Sequence, residues 1–440
     1  MSATRKDEES MRVWTNWAGT VRARPRTEVM VRDVRHAQDL CRTTGAAGGA
    51  LKVVGSGHSF TAIAEATDVL VRVDRLSGLL SVERGSGRVW VGAGTPLHVL
   101  GPLLAGEGLA LTNMGDIDRQ TVAGAVSTGT HGTGAAYTGL AGQLTGVELV
   151  TADGEVRRYD RGDPEWGGVA LSLGALGIVT ALQIQCVPSF LLRAHEQPDA
   201  LDSVLESLDE TVDTTDHFEF YWFPHTDRVQ TKTNTRVLDA GARDPLPTWR
   251  ARLDDDLLSN TLFEGVNRLL TRAPRLTPAA NQVAARALSA RTYTDTSYDV
   301  FATRRTVRFR ESEYSVPRAS VPELLRQLHT WCDRHDARIP FPVEVRFAAA
   351  DDLWLSTAYG RETGYVAVHQ YHRRDHRAYF EAFWAMLRDH DARPHWGKMH
   401  DLDADELRSR YPRFDDFVQL RDTLDPRRVF SNPYLERVLG

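Results

Sequence analysis

Apolar and polar residues alternate in short bursts along this chain. Val69, Val71 and Val73 fall at every second position, as do Val89 and Val91, which is the period of strands buried on one face. Residues 51–54 run apolar into Gly55-Ser56-Gly57, the pattern of a strand ending in a tight turn. Just upstream, 31–40 mixes polar and apolar positions as a short helix does. Thr95-Pro96 predicts a helix start, with Thr as N-cap and Pro at the first helical position, and that helix should end near Gly106 or Gly108. Strand-like runs at 144–151 and 178–187 close a first unit at Pro188.

Beyond Pro188 the composition shifts. Strand patterns at 217–223 and 306–316, with a helical stretch between Pro247 and Leu288, predict a second domain built on a larger antiparallel sheet with helices packed on it. In 341–349, Val343, Val345 and Phe347 share one face of a strand while Glu344 and Arg346 share the other. In 365–371, Tyr365, His369 and Tyr371 share a face. Trp17 is a candidate anchor for the N-terminus, and the chain carries no internal repeat.

With 440 residues, two or three domains are expected. A net charge of −6 leaves no basic footprint for nucleic acid, so small molecules are the expected partners. Cys41, Cys186 and Cys332 lack metal-type spacing and read as thiols in a reducing compartment. The polar N-terminus lacks a secretory signal pattern and no apolar run is long enough to span a bilayer. These features predict a cytoplasmic protein.

The candidate chemistry starts at Gly55-Ser56-Gly57-His58-Ser59. Amides converging on such a turn seat a phosphate. A Rossmann fingerprint fails because Phe60 stands where a third glycine belongs. A plain strand-end turn with a solvent-exposed histidine stays open on these residues alone. In 113–134, small residues mark either a long glycine-rich loop or a second wall of the same cavity. Glu344 and Arg346 form either a surface ion pair or a charged lining. A metal site is not expected, since Arg373 and Arg374 would oppose a cation near His372 and His376. Lys398, beside Trp396 and Gly397, is either stacked on the surface or aimed at a ligand.

Taken in order, VGSGHSF, TVAGAVSTGTHGTG, EVR at 344–346, HWGK at 395–398 and LDPRRVFSN at 424–432 resemble the aldonolactone oxidoreductases. These are the branch of the vanillyl-alcohol-oxidase (PCMH-type) flavoproteins that holds sugar-1,4-lactone oxidases and dehydrogenases together with alditol oxidases. HWGK and AVHQY look most like the actinobacterial L-gulono-1,4-lactone dehydrogenase group. The resemblance covers nearly the whole chain. It implies an α+β fold: an N-terminal tail (1–20), a two-lobed FAD-binding domain (21–188), an antiparallel-sheet cap (189–393) and a C-terminal segment (394–440) that returns to the FAD domain. It implies FAD bonded covalently through His58, with Gly55, Ser56, Gly57 and Ser59 around the pyrophosphate. Thr121, Gly124, Gly129, Thr130, His131, Gly132 and Thr133 would line the flavin. Ile178 would meet the adenine side through its backbone, and Lys398 would stand next to the flavin.

The expected reaction is oxidation of an alcohol of an L-gulono- or D-arabinono-type 1,4-lactone, with hydride passing to the flavin. Arg346 and Lys398 are the cations suited to stabilising negative charge and polarising the substrate oxygen. Glu344 is expected to orient Arg346 rather than act as base. His369 and Tyr371 are expected to bind substrate hydroxyls. An alditol oxidase releasing hydrogen peroxide, a flavoenzyme tailoring a secondary metabolite, and a non-catalytic carbohydrate- or nucleotide-binding protein are the alternatives. Either oxygen or a separate acceptor would take the electrons.

Overall fold

The alternating valines do become strands, and the strands fall into three main sheets. The computed structural model describes residues 13–247, 261–303, 306–335 and 337–440. The expected tail residues 1–12, and 248–260 of the expected helical stretch, lie outside them. The smallest of the three sheets is parallel, with Val69–Arg72 between Thr27–Met30 and Leu51–Val54. The helix Val34–Ala46 packs on it, its Asp33 cap accepting the His36 N–H at 2.8 Å. A five-stranded antiparallel sheet runs in the order Val156–Asp160, Leu144–Val150, Ile178–Gln185, Arg88–Gly92, Leu79–Glu83.

The third sheet is antiparallel and eight-stranded. At its centre His217–Trp222, Val343–Ala348, Thr363–Tyr371 and Phe309–Pro317 lie side by side. One face carries Phe218, Phe220, Val345 and Phe347 into the main apolar core. The sheet's charged side chains therefore gather where they face the N-terminal lobe. Among the described residues no helix is long and apolar enough to cross a membrane.

Two local expectations need correction. Thr95 does not cap the helix Leu97–Gly106; Pro96 holds the N-cap position. The Thr95 hydroxyl is drawn instead to Gly92 O at 2.7 Å and accepts the Gly78 N–H at 2.9 Å. The glycine-rich stretch 113–134 is not all loop. It contains a short helix, Val122–Ser127, because Thr121 supplies an N-cap and Val122, Ala125 and Val126 supply a buried stripe.

Residues 394–440 fold back on the N-terminal lobe. Leu51 N donates to Val429 O at 2.7 Å, and Phe60 N to Gly397 O at 2.7 Å. Asn432 Nδ2 donates to Ala62 O at 3.0 Å and Glu65 O at 2.9 Å. Both ends of the glycine turn are thus fixed by chain more than three hundred residues away.

Candidate active site

The turn after Leu51–Val54 is the first wall. Gly57 adopts φ +69°, a conformation that favours glycine. A Cβ on Gly55 would overlap Thr121 Oγ1, so glycine there lets the turn press against the start of helix Val122–Ser127. The same Thr121 Oγ1 accepts the Gly124 N–H at 3.2 Å. The backbone N–H groups of Ser56, Gly57, His58 and Ser59 make no hydrogen bond to any described residue. Four successive unpaired amides on a glycine turn form an anion seat. Thr121, Gly124, Gly174 and Gly177 complete a narrow cleft around it.

Ser56, His58, Ser59, Gln120 and Thr128 border both this cleft and a wider cavity of about 530 Å³. His58 therefore stands at the junction. Its ring stacks on Trp17 (centroids 5.5 Å apart) and makes no hydrogen bond to a described residue. Burial, then the charges of Lys398 and Arg119, lower its pKa to about 4. At neutral pH the imidazole is uncharged, with a lone pair available.

The cavity's far walls come from alternate positions of two strands and from the tail. Phe309, Glu311 and Glu313 belong to Phe309–Pro317, Glu344 and Arg346 to Val343–Ala348, while His395 and Lys398 follow Arg393–Pro394. Arg346 is buried, which corrects the surface ion-pair alternative. Its Nε donates to Glu219 Oε2 at 2.9 Å, its Nη1 to Asp116 Oδ1 at 3.3 Å, and its Nη2 pairs with Glu344. Burial works against its charge, yet Asp116, Glu344 and Glu219 outweigh it and hold the guanidinium well above its usual pKa. Lys398 Nζ lies 2.5 Å from Glu311 Oε2 and 3.8 Å from Glu313 Oε2. Burial opposes its charge too, but those carboxylates prevail and raise its pKa.

Behind them sits a second tier. His131 Nε2 is 3.0 Å from Glu313, its Nδ1 faces Gly132 O at 3.0 Å, and its ring stacks on Tyr365 at 3.5 Å. His369 Nδ1 faces Pro342 O at 3.1 Å, with Nε2 3.5 Å from Glu311. Burial drops the His395 pKa to about 4, and its Nδ1 accepts the Gly397 N–H at 3.0 Å. Its remaining nitrogen is then an N–H, a donor rather than a base. His131, Glu313 and His395 bring potential ligand atoms within 4.8 Å of one another. Lys398 beside Glu313 opposes a cation there, and the cluster reads as a hydrogen-bonded network.

Burial pushes the Glu311 pKa up, but Lys398 and His369 win and hold it at about 2. A carboxylate depressed in the folded state contributes stability that is complete above its unfolded value, near 4.3, and disappears as pH falls toward about 2. Glu311→Gln is therefore expected to lower the melting temperature at pH 7 and to flatten the acid limb of a Tm-versus-pH curve. An unchanged acid limb would contradict the pairing.

The structure brings Gly55, Ser56, Gly57, His58, Ser59, Thr121, Gly124, Thr130, His131, Glu344, Arg346 and Lys398 around one continuous space. The others fall outside it. Tyr371 points away: its hydroxyl donates to Glu264 Oε1 at 2.7 Å and its ring packs with Phe309 and Phe341, correcting its assignment to substrate. His369 lies behind Glu311 and Glu344 and does not line the cavity. Gly132 and Thr133 lock the loop to its surroundings, Gly132 against Asn113 and Met114, and Thr133 Oγ1 onto Phe218 O. Gly129, at φ +77°, serves the turn after the short helix. The Ile178 side chain is in the lobe core, while Gly177 and Val179 border the cleft.

Glu311, Glu313, Glu219 and Asp116 were missed by the reading of the sequence. A signal existed for the first two: in FRESEY, Phe309, Glu311 and Glu313 fall at strand period, so both carboxylates share a face. Glu219 had the same one, alternating with Phe218 and Phe220 in HFEFYW, and Asp116 had none.

A glycine-walled cleft with an anion seat, opening into a cation-lined cavity, suits a flavin-linked oxidoreductase, and residues 25–160 match the FAD binding domain model. The chain belongs to the D-arabinono-1,4-lactone oxidase family, whose model matches residues 182–438. It is 41% identical over 428 residues to L-gulono-1,4-lactone dehydrogenase of Mycobacterium tuberculosis, covering 97% of this chain and 99% of that one. Alditol oxidase of a Streptomyces species is 33% identical (97% and 98% covered), and L-gulonolactone oxidase of Scyliorhinus torazame 31% (96% and 97%). The fold matches cholesterol oxidase from Brevibacterium sterolicum with TM-score 0.81 at 17% identity, covering 97% of each chain. The unpaired amides of 56–59 and the glycine-lined cleft fit the diphosphate of FAD.

Proposed function

We propose that the protein oxidises a ring-carbon hydroxyl of an aldono-1,4-lactone of the L-gulono or D-arabinono type, using FAD bonded to His58. The observation that carries this reading is that His58, Arg346 and Lys398 border one cavity. Full-length similarity to lactone dehydrogenases and oxidases supports the substrate class.

The amides of Ser56 to Ser59 would hold the diphosphate, with Thr121 and Gly124 beside it. FAD supplies the two-electron acceptor for the hydride that leaves the substrate carbon. Arg346 and Lys398 bind the substrate oxygen, polarise it, and lower the energy of negative charge developing beside them. Asp116, Glu219 and Glu344 fix the plane of the guanidinium. Phe309 and Trp17 supply apolar wall that keeps water from the reacting carbon.

A second reading, oxidation of an open-chain alditol, draws on the 33% identity to alditol oxidase. Anaerobic mixing with a panel of lactones and alditols separates the two. Lactones are expected to bleach the flavin band fastest, and admission of air then reports whether oxygen is an acceptor. Bleaching by alditols alone would replace the leading reading with the second.

A further inference from the structure

Strand Leu51–Val54 carries a lysine that the reaction does not use. Lys52 is 3% exposed, and its Nζ donates to Gly174 O at 3.2 Å and Phe430 O at 3.1 Å. An ammonium has three N–H donors; no described residue accepts the third. None of the described residues gives Lys52 a carboxylate partner either. Asp425, the acid whose charge reaches it, turns its oxygens to the N–H groups of Val429 (2.8 Å) and Phe430 (2.7 Å). Lys52 and Gly174 both border the narrow cleft, whose anion seat opens only a few residues along the chain.

A buried ammonium without a counter-ion is unfavourable unless an anion arrives. Burial, only partly opposed by Asp425, pulls the amine's pKa down to about 7. The unpaired amides of 56–59 border the same cleft and suit the same kind of ligand.

We propose that Lys52 is a cofactor-binding residue, its ammonium the counter-charge to the diphosphate of FAD, and that through Phe430 O it ties the C-terminal tail to the loaded cleft. This rests on FAD occupying the cleft as described above. The alternative is a strap that joins Gly174 and Phe430 and contributes nothing to the ligand.

The test uses the full chain with His58→Ala, so that binding is reversible, and compares Lys52 with Lys52→Gln. Glutamine keeps two N–H donors for the two carbonyls but carries no charge. FAD and riboflavin, which lacks phosphate, are titrated by quenching of flavin fluorescence. FAD affinity is expected to fall about 10- to 100-fold, the range of a charge-assisted hydrogen bond, with riboflavin affinity within about twofold of the parent. Unchanged FAD affinity, or equal losses for both ligands, would overturn the proposal. Each titration counts only folded sites, so the ratio survives partial misfolding. If the glutamine variant does not fold at all, Lys52→Arg is read in the same way and must keep the parent's ratio within about threefold, a larger loss overturning the idea. Failure of the His58→Ala parent to bind FAD at all would defeat the cofactor reading instead.

Discussion

Arg346→Ala is expected to slow reduction of the flavin by the lactone about 10²- to 10³-fold while flavin stays bound, the loss typical of removing one preorganised charge donor from a buried site. The guanidinium belongs to the wide cavity and not to the cleft of Gly55 to Ser59, so cofactor content and reaction rate separate. Its removal also takes from Asp116, Glu219 and Glu344 the cation they share, although Lys232 stays 3.6 Å from Glu219 and the Tyr221 hydroxyl 3.3 Å from Glu344. Stripping a buried cation from its partners costs about 3–5 kcal/mol. Arg346→Lys keeps the charge and loses the fork that holds three carboxylates at once, so it should restore stability better than rate. Stopped-flow absorbance under anaerobic conditions, read beside a thermal melt, tells these apart. A reduction rate within threefold of wild type in Arg346→Ala would remove the residue from the chemistry.

Which parts of this site were visible in the sequence follows from the range of the interactions. The glycine turn was legible because part of its conformation is local: Gly57 adopts a positive φ that glycine favours, whereas the reason for Gly55, its contact with Thr121, is tertiary. The alternation in Val343–Ala348 was legible for the same reason, since strand period alone puts Glu344 and Arg346 on one face. Periodicity could not say whether that face meets water or a second lobe. The burial of Arg346 depends on Asp116, 230 positions away, and Glu219, 127 away. Tyr371 shows the converse error: it shares a face with Tyr365, but the strand Thr363–Tyr371 is nine residues long. At its end the Tyr371 ring packs with Phe309 and Phe341, and the hydroxyl is drawn to Glu264. The short helix Val122–Ser127 escaped because six residues with a glycine and two valines among them are too few to hold a helix alone, and the Thr121 cap with tertiary packing decides the matter.

The tail makes a related point about cooperation between distant segments. Residues 396–400 and 429–432 contribute Lys398 to the cavity and also hold the glycine turn in place through Phe60, Ala62 and Glu65. The segment that supplies a cation is therefore also the one that sets the shape of the anion seat. Disorder in the tail would be felt at both ends of the cofactor.

Acid precipitation is expected to carry all of the yellow colour into the pellet with the wild-type chain and to leave it entirely in the supernatant with His58→Ala. Charge and packing both favour the link. A ring held to a pKa of about 4 by burial and by Lys398 and Arg119 presents an unprotonated nitrogen throughout the neutral range. No described residue competes for that nitrogen, and Trp17 at 5.5 Å restrains the ring by stacking. Because His58 is itself part of the anion seat and also borders the wide cavity, a diphosphate bound at Ser56 to Ser59 would leave the flavin 8α-carbon little distance to search for the imidazole. Attachment to reconstituted apoprotein in air, where a C–N bond replaces an 8α C–H bond, the proton goes to solvent and the two electrons pass through the flavin to oxygen, should run at an even rate from about pH 5 to 8 and fail as pH falls through about 4, where the ring gains a proton. Under ultraviolet light, a fluorescent band on a denaturing gel tracks the link directly. Wild-type protein whose flavin is wholly released by acid would show that the imidazole, however well placed, forms no bond.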